Sequence, residues 1–235
     1  MCILEKPEED AVSPVVGVML MLVVTIIIAA VVSAFAGGLT SGTEKAPTAS
    51  FQCRIANDGT WGGSTFDLTV LGMEPSVQTK DIKITTSWKA SDGTNATVSV
   101  TGPNATIENP ANTHYTTGTS YHSPLGFGPG VNQSMFSGNY YPDQHFGNYS
   151  LMAGTRMHNS AYGWSVAYGG YGVDTSTRYQ YTDGSNYVYG TDMDAMQAIL
   201  GREWYHLRPG DIVHVKVVHV PSAKVIYDAD VAVEG

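Results

Sequence analysis

The chain has 235 residues, 43% of them hydrophobic and 14% charged, and 12 Lys+Arg stand against 21 Asp+Glu for a formal net charge of −9. An acidic balance without a basic patch argues against a nucleic-acid partner, because phosphate binding is carried by clustered Lys and Arg. Two cysteines, Cys2 at the extreme N-terminus and Cys53, rule out a disulfide-stapled scaffold.

Residues 1–10, MCILEKPEED, form an acidic leader in which Glu5, Glu8, Glu9 and Asp10 face a single Lys6. Behind it, residues 11–39 are uncharged and overwhelmingly apolar. As a helix, Val15 to Ala36 alone would reach roughly 33 Å, enough to cross the hydrocarbon core of a bilayer. A secretory signal peptide places positive charge before a shorter apolar stretch and its cleavage site after it. Here the order is reversed, since the small residue Ala11 precedes the apolar run. Ala29, Ser33 and Gly37 recur every fourth position, as do Ala30, Ala34 and Gly38, so two adjoining rows of small residues lie on one side of a helix and permit close helix packing. Composition alone leaves a lone membrane anchor as the alternative. Pro14 sits near the helix start, where its missing donor is tolerated, and the hydroxyls of Thr25 and Ser33 can bond back one turn.

The string AVSPVVGVMLMLVVTIIIAAVVSAF resembles the N-terminal region of archaeal type IV pilins, in which Val-Ser-Pro-Val-(Val/Ile)-Gly-Val opens the mature helix. The resemblance covers about the first 40 residues. It implies removal of leader residues 1–11 by a prepilin-peptidase-like membrane protease, between Ala11 and Val12. Residues 12–39 would then be a hydrophobic helix that moves from the membrane into a homo-oligomeric filament core, packed through Pro14, Gly17, Ala29, Ala30, Ser33, Ala34, Gly37 and Gly38. A pilus assembly ATPase and a polytopic membrane platform would drive that step. Family leaders usually carry a basic residue close to the cut, whereas here Asp10 precedes Ala11.

Residues 40–50 read as a flexible Gly/Pro-containing linker and residues 51–235 as one exterior domain. The expected fold is thus a long N-terminal hydrophobic α-helix plus a mainly β, antiparallel, sandwich-like C-terminal domain. Alternation marks strands at Phe66, Leu68 and Val70, at Ile82, Ile84 and Trp88, and at Val98 and Val100. A final hairpin pairs GDIVHVKVVHV with KVIYDADVAVEG around Pro221, Ser222 and Ala223, with Val213, Val215 and Val217 on a buried face opposite Ile212, His214, Lys216 and Val218. One exterior helix is expected, capped by Asp192, with Met193, Met196, Ile199 and Leu200 as its apolar stripe and Gly201 at its exit, plugging one end of the sandwich. Cys53, in FQCRI, reads as a small buried thiol.

Of 14 tyrosines, 12 fall between Tyr115 and Tyr189. In RYQYTDGSNYVYG a hairpin turning at Asp183 and Gly184 would set Tyr179 and Tyr181 opposite Tyr187 and Tyr189. These rings serve either as cross-strand packing or as an amphipathic outer surface. Four sequons, at Asn95, Asn104, Asn132 and Asn148, all lie in the exterior domain and are expected N-glycosylation sites.

Catalytic signatures are thin: no HExxH, GxSxG or Walker loop occurs, and no cofactor or metal is expected. His214 and His219 are an odd number of positions apart, so one strand would point them to opposite faces. The expected function is a structural subunit of a pilus-like surface filament serving adhesion, placed first in the membrane and then on the cell surface. A minor pilin or a membrane-anchored surface binding protein that does not polymerise stands second, and a membrane-tethered hydrolase third.

Overall fold

A computed structural model describes residues 14–40, 45–102, 123–132, 142–161, 171–174, 177–183 and 194–235. The chain divides into two compact units, Met1–Glu44 and Lys45–Gly235.

In the first unit, α1 (Pro14–Thr40) is a helix of 27 residues without a charged residue in its first or last turn. Proline opens it, as its preset φ and lack of a donor favour. Side chains are described for residues 17–33 of it. Among the described residues no helix is long and apolar enough to cross a membrane.

The second unit is mainly antiparallel β. Its strands are β1 (Thr48–Asn57), β2 (Ser64–Glu74), β3 (Val77–Gln78), β4 (Ile82–Lys89), β5 (Asn95–Thr101), β6 (Leu125–Phe127), β7 (Ser150–Leu151), β8 (Arg156–Ser160), β9 (Tyr171–Val173), β10 (Tyr181–Asp183), β11 (Ile212–His219) and β12 (Lys224–Glu234), with α2 (Ala195–Leu200) before β11. β1 opens at Thr48, inside the stretch read as linker. Eight strands join in one sheet, in the order β5-β4-β11-β12-β1-β2-β8-β6, and β9 with β10 and β3 with β7 form two-stranded ribbons. One pair departs from the antiparallel pattern: β12 runs parallel to β1, in register at Ile55↔Val233 and Ala56↔Glu234.

The alternation read from the sequence is the alternation of burial. Phe66, Leu68 and Val70 point inward from β2, Ile82, Ile84 and Trp88 from β4, and Val213, Val215 and Val217 from β11. β2 then slips one position, because Ser50 pairs Gly72 while Phe51 pairs Val70. The extra residue, Leu71, is left exposed, and the bulge returns Met73 to the core. The final hairpin forms as expected, with Ala223 taking the left-handed conformation at its turn (φ 53°).

The exterior helix differs from its expected form in two respects. Its cap is Asp194, not Asp192: the Asp194 carboxylate accepts the backbone N–H of Gln197 at 2.7 Å. Asp192 and Met193 lie outside the described residues. Both aspartates are competent caps, and a helix that starts two residues later uses the second. All six residues of α2 are buried, and β4 and β8 hold it. Thr86 donates its hydroxyl hydrogen to Ile199 O, Trp88 Nε1–H to Leu200 O at 2.7 Å, and Asn159 Nδ2–H to Ala195 O at 2.6 Å. In a flat sheet β4 and β8, five places apart in the strand order, would be about 24 Å apart. A six-residue helix is only about 9 Å long. The sheet therefore curls around α2, and what was expected as a plug at the end of a sandwich is the filling of a single curved sheet.

Candidate functional site

Two surfaces carry the residues to which the sequence assigns a role: the helix of the first unit and the exterior of the second.

Every described side chain of α1, from 17 to 33, is exposed, including Val18, Met19, Leu20, Met21, Leu22, Val23, Val24, Ile26, Ile27, Ile28, Val31 and Val32. A β-carbon added at Gly17 would meet nothing within 4 Å. Thr25 returns its hydroxyl hydrogen to Leu22 O at 2.9 Å, the back-bond expected of it, so no polar group on this turn seeks an outside partner. Ala29, Ala30, Ser33, Ala34, Gly37 and Gly38 all lie within one continuous helix, which sets both small-residue rows on adjoining lines of one side. Surroundings are described for Ala29, Ala30 and Ser33; those of Pro14, Ala34, Gly37 and Gly38 are outside the described side chains, and Ala11 and Val12 are outside the described residues. An apolar helix exposed all round is what a chain places in lipid or among other helices.

On the second unit, Asn95 opens β5, an edge strand of the sheet, and is exposed, as are Asn132 and Asn148. Asn104 lies outside the described residues. Asn95 Nδ2 donates to Gly93 O at 3.4 Å, and Ser150 of the last sequon accepts from Gln78 Nε2 at 2.6 Å.

Among the described tyrosines, packing rather than display dominates. Tyr149 is buried, its hydroxyl donating to Pro124 O at 2.8 Å, with the glycine Gly126 beneath its ring. Tyr179 adopts φ 62°, and the Arg208 guanidinium lies 3.9 Å from the centre of its ring. Tyr181 packs against Tyr205 with ring centres 5.6 Å apart. The far strand of the hairpin expected at Asp183 and Gly184 falls outside the described residues, and within them β10 pairs with β9, Tyr181 opposite Val173. Gly184, Tyr187 and Tyr189 lie outside the described residues.

The histidines are engaged by aspartates that sequence reading did not pair with them. His214 stands between Asp230 at 2.8 Å and Asp228 at 3.0 Å, and His206 Nδ1 lies 2.7 Å from Asp92. The hydrogen bond from His206, followed by that from the Thr94 N–H, lowers the Asp92 pKa to about 2. His158 and Arg156 both bond Asp67, and these bonds outweigh the upward pull of burial to keep its carboxyl below the usual range. His214 and Asp230 are direct cross-strand neighbours, so the final hairpin's register was the available signal for that pair. His219 is buried and His214 is not, as their odd spacing required. Among the described residues no group of three His, Cys, Asp or Glu is placed to hold a metal ion. Cys53 is half-buried and free, and burial, with a smaller contribution from Asp67, raises its pKa to about 12. That thiol stays protonated at neutral pH and is a poor nucleophile.

A protein of Archaeoglobus fulgidus described as uncharacterized is 34% identical to this chain over 85 residues, which are 36% of this chain and 57% of that protein. The chain therefore spans little more than half of that relative's length. Residues 10–51, which hold α1, match the family model described as archaeal type IV pilin, N-terminal.

Proposed function

We propose that the chain is a structural subunit of a type IV pilus-like surface filament. The carrying observation is the coincidence of the pilin N-terminal match, residues 10–51, with a 27-residue helix whose described side chains are all exposed. Burying the apolar surface of such a helix against lipid or other helices is strongly favourable, at about 25 cal/mol per Å². In this reading the leader is cut between Ala11 and Val12, the helix waits in the membrane, and it then exchanges lipid for helix contacts along the rows Ala29, Ser33, Gly37 and Ala30, Ala34, Gly38. The subunit partners with its own copies, a prepilin-peptidase-like protease, an assembly ATPase and a membrane platform. The β unit forms the exterior, with glycans at the exposed Asn95, Asn132 and Asn148 and at Asn104, and serves adhesion. Co-expression with a prepilin-peptidase-like protease tests the first step: the product should begin at Val12, and a chain left uncut at Ala11 contradicts it.

A further inference from the structure

β5 is the long open edge of the eight-stranded sheet. It pairs with β4 along its whole length, from Lys83↔Thr101 to Lys89↔Asn95, whereas β6 at the other edge has 3 residues. In the turn that joins β4 to β5, Ala90 N–H bonds Thr94 O at 2.7 Å. Bonding alternates along an antiparallel pair, so Ala96, Val98 and Val100 are the residues that exchange backbone bonds with β4. The N–H and C=O groups of Asn95, Thr97 and Ser99 therefore face the open side, where no strand pairs with them among the described residues.

An open edge is a template for a second strand, and chains guard it with charge, proline, a bulge or brevity. β5 has none of these. Its 7 residues, NATVSVT, include no charge and no proline, and its register with β4 runs without a shift. An uncharged segment of this length, rich in β-branched residues, is the composition that stacks strand on strand between chains. What the strand carries instead is the sequon Asn95-Ala-Thr97. Asn95 and Thr97 are the two exposed residues of β5, and both turn their backbone groups to the open side. The Asn95 amide makes a long bond to Gly93 O, at 3.4 Å, within its own turn.

We infer that an N-linked glycan on Asn95 guards this edge. A covalently held, hydrated chain at the exposed end of β5 fills the space that a second strand would enter, and so keeps β5 from pairing edge to edge with the β5 of another chain. The inference rests on the reading of Asn95 as glycosylated and gives that sugar a purpose.

Thr97 is the informative position because it can be changed in three ways. Thr97→Ser keeps the sequon, Thr97→Ala removes it, and Thr97→Lys removes it while placing a charge on the edge. The full chain is expressed in an archaeal host that N-glycosylates, solubilised in detergent, and followed by glycopeptide mass spectrometry and by sedimentation across a concentration series. The unaltered chain and Thr97→Ser should carry sugar on Asn95 and sediment alike. Thr97→Ala and Asn95→Gln should lack it and self-associate about tenfold more tightly. Thr97→Lys should lack it and sediment like the unaltered chain. Because α1 is common to all of them, differences belong to β5, and Asn95→Gln decides should Thr97→Ala fail to fold. If sugar is present on Asn95 and its removal leaves association unchanged, the inference is overturned while the glycan reading stands. Association of Thr97→Lys as tight as that of Thr97→Ala also overturns it, because the edge would then not be the route. An unaltered chain without sugar on Asn95 removes the glycan reading at this site and the guard with it.

Discussion

Asp194 is a fully buried carboxyl that caps α2, with Trp204 Nε1–H at 3.3 Å as its second donor. Burial raises its pKa from 3.8 to about 7. A carboxyl whose pKa is higher folded than unfolded favours the fold while protonated, so that contribution is complete below the unfolded value and lost as pH rises through about 7. Thermal melts at pH 6, 7 and 8, where Asp67 and Asp92 stay ionised, should therefore show stability falling with pH. Asp194→Asn keeps an acceptor for Gln197 N–H and cannot ionise, so its melts should vary less and exceed wild type at pH 8; Asp194→Ala should cost about 1 kcal/mol at pH 4 through loss of the cap. Equal pH dependence of wild type and Asp194→Asn would contradict this. Cys53 yields a second expectation: with its pKa near 12, peptide mapping should find it unmodified by iodoacetamide at pH 7.5 in the native protein and modified after denaturation. Sequence could not choose between Asp192 and Asp194 as cap, because both suit the role and the choice depends on where β4 and β8 grip the helix.

Elements differ in how far local pattern determines them. The β11–β12 hairpin was legible with its faces, since Val213, Val215 and Val217 alternate with polar residues and Pro221 marks the turn. The bulge at Leu71 and the pairing of β10 with β9 were not, because each depends on a partner strand rather than on the segment itself. For α2, Trp88 is the informative position: Trp88→Phe keeps the ring and removes the donor to Leu200 O, leaving a buried carbonyl unpaired at a cost of about 1–3 kcal/mol, read by urea denaturation. Gly201 ends α2 at φ 89°, and a β-carbon there would meet Ala96 Cβ at 3.0 Å, so Gly201→Ala should destabilise comparably or more. For α1, Ala30→Leu with Gly37→Leu should impair filament assembly while leaving membrane insertion intact, and normal filaments would count against packing through the small-residue rows.

At the scale of the whole molecule, the division into an apolar N-terminal helix and a β unit was readable from charge and hydropathy, because both are properties of contiguous sequence. The curl of the sheet was not, since it rests on contacts such as Ile55 with Val233 that join distant parts of the chain. The exposure of the sequons at Asn95, Asn132 and Asn148 likewise became legible only once the chain was folded. Assembly is the central claim, and intact-mass and N-terminal analysis of filaments sheared from cells tests it most directly. The expected result is a chain beginning at Val12 as a filament component, with added mass on peptides containing Asn95, Asn132 or Asn148. A chain that begins at Met1, or is found in the membrane fraction alone, would contradict it.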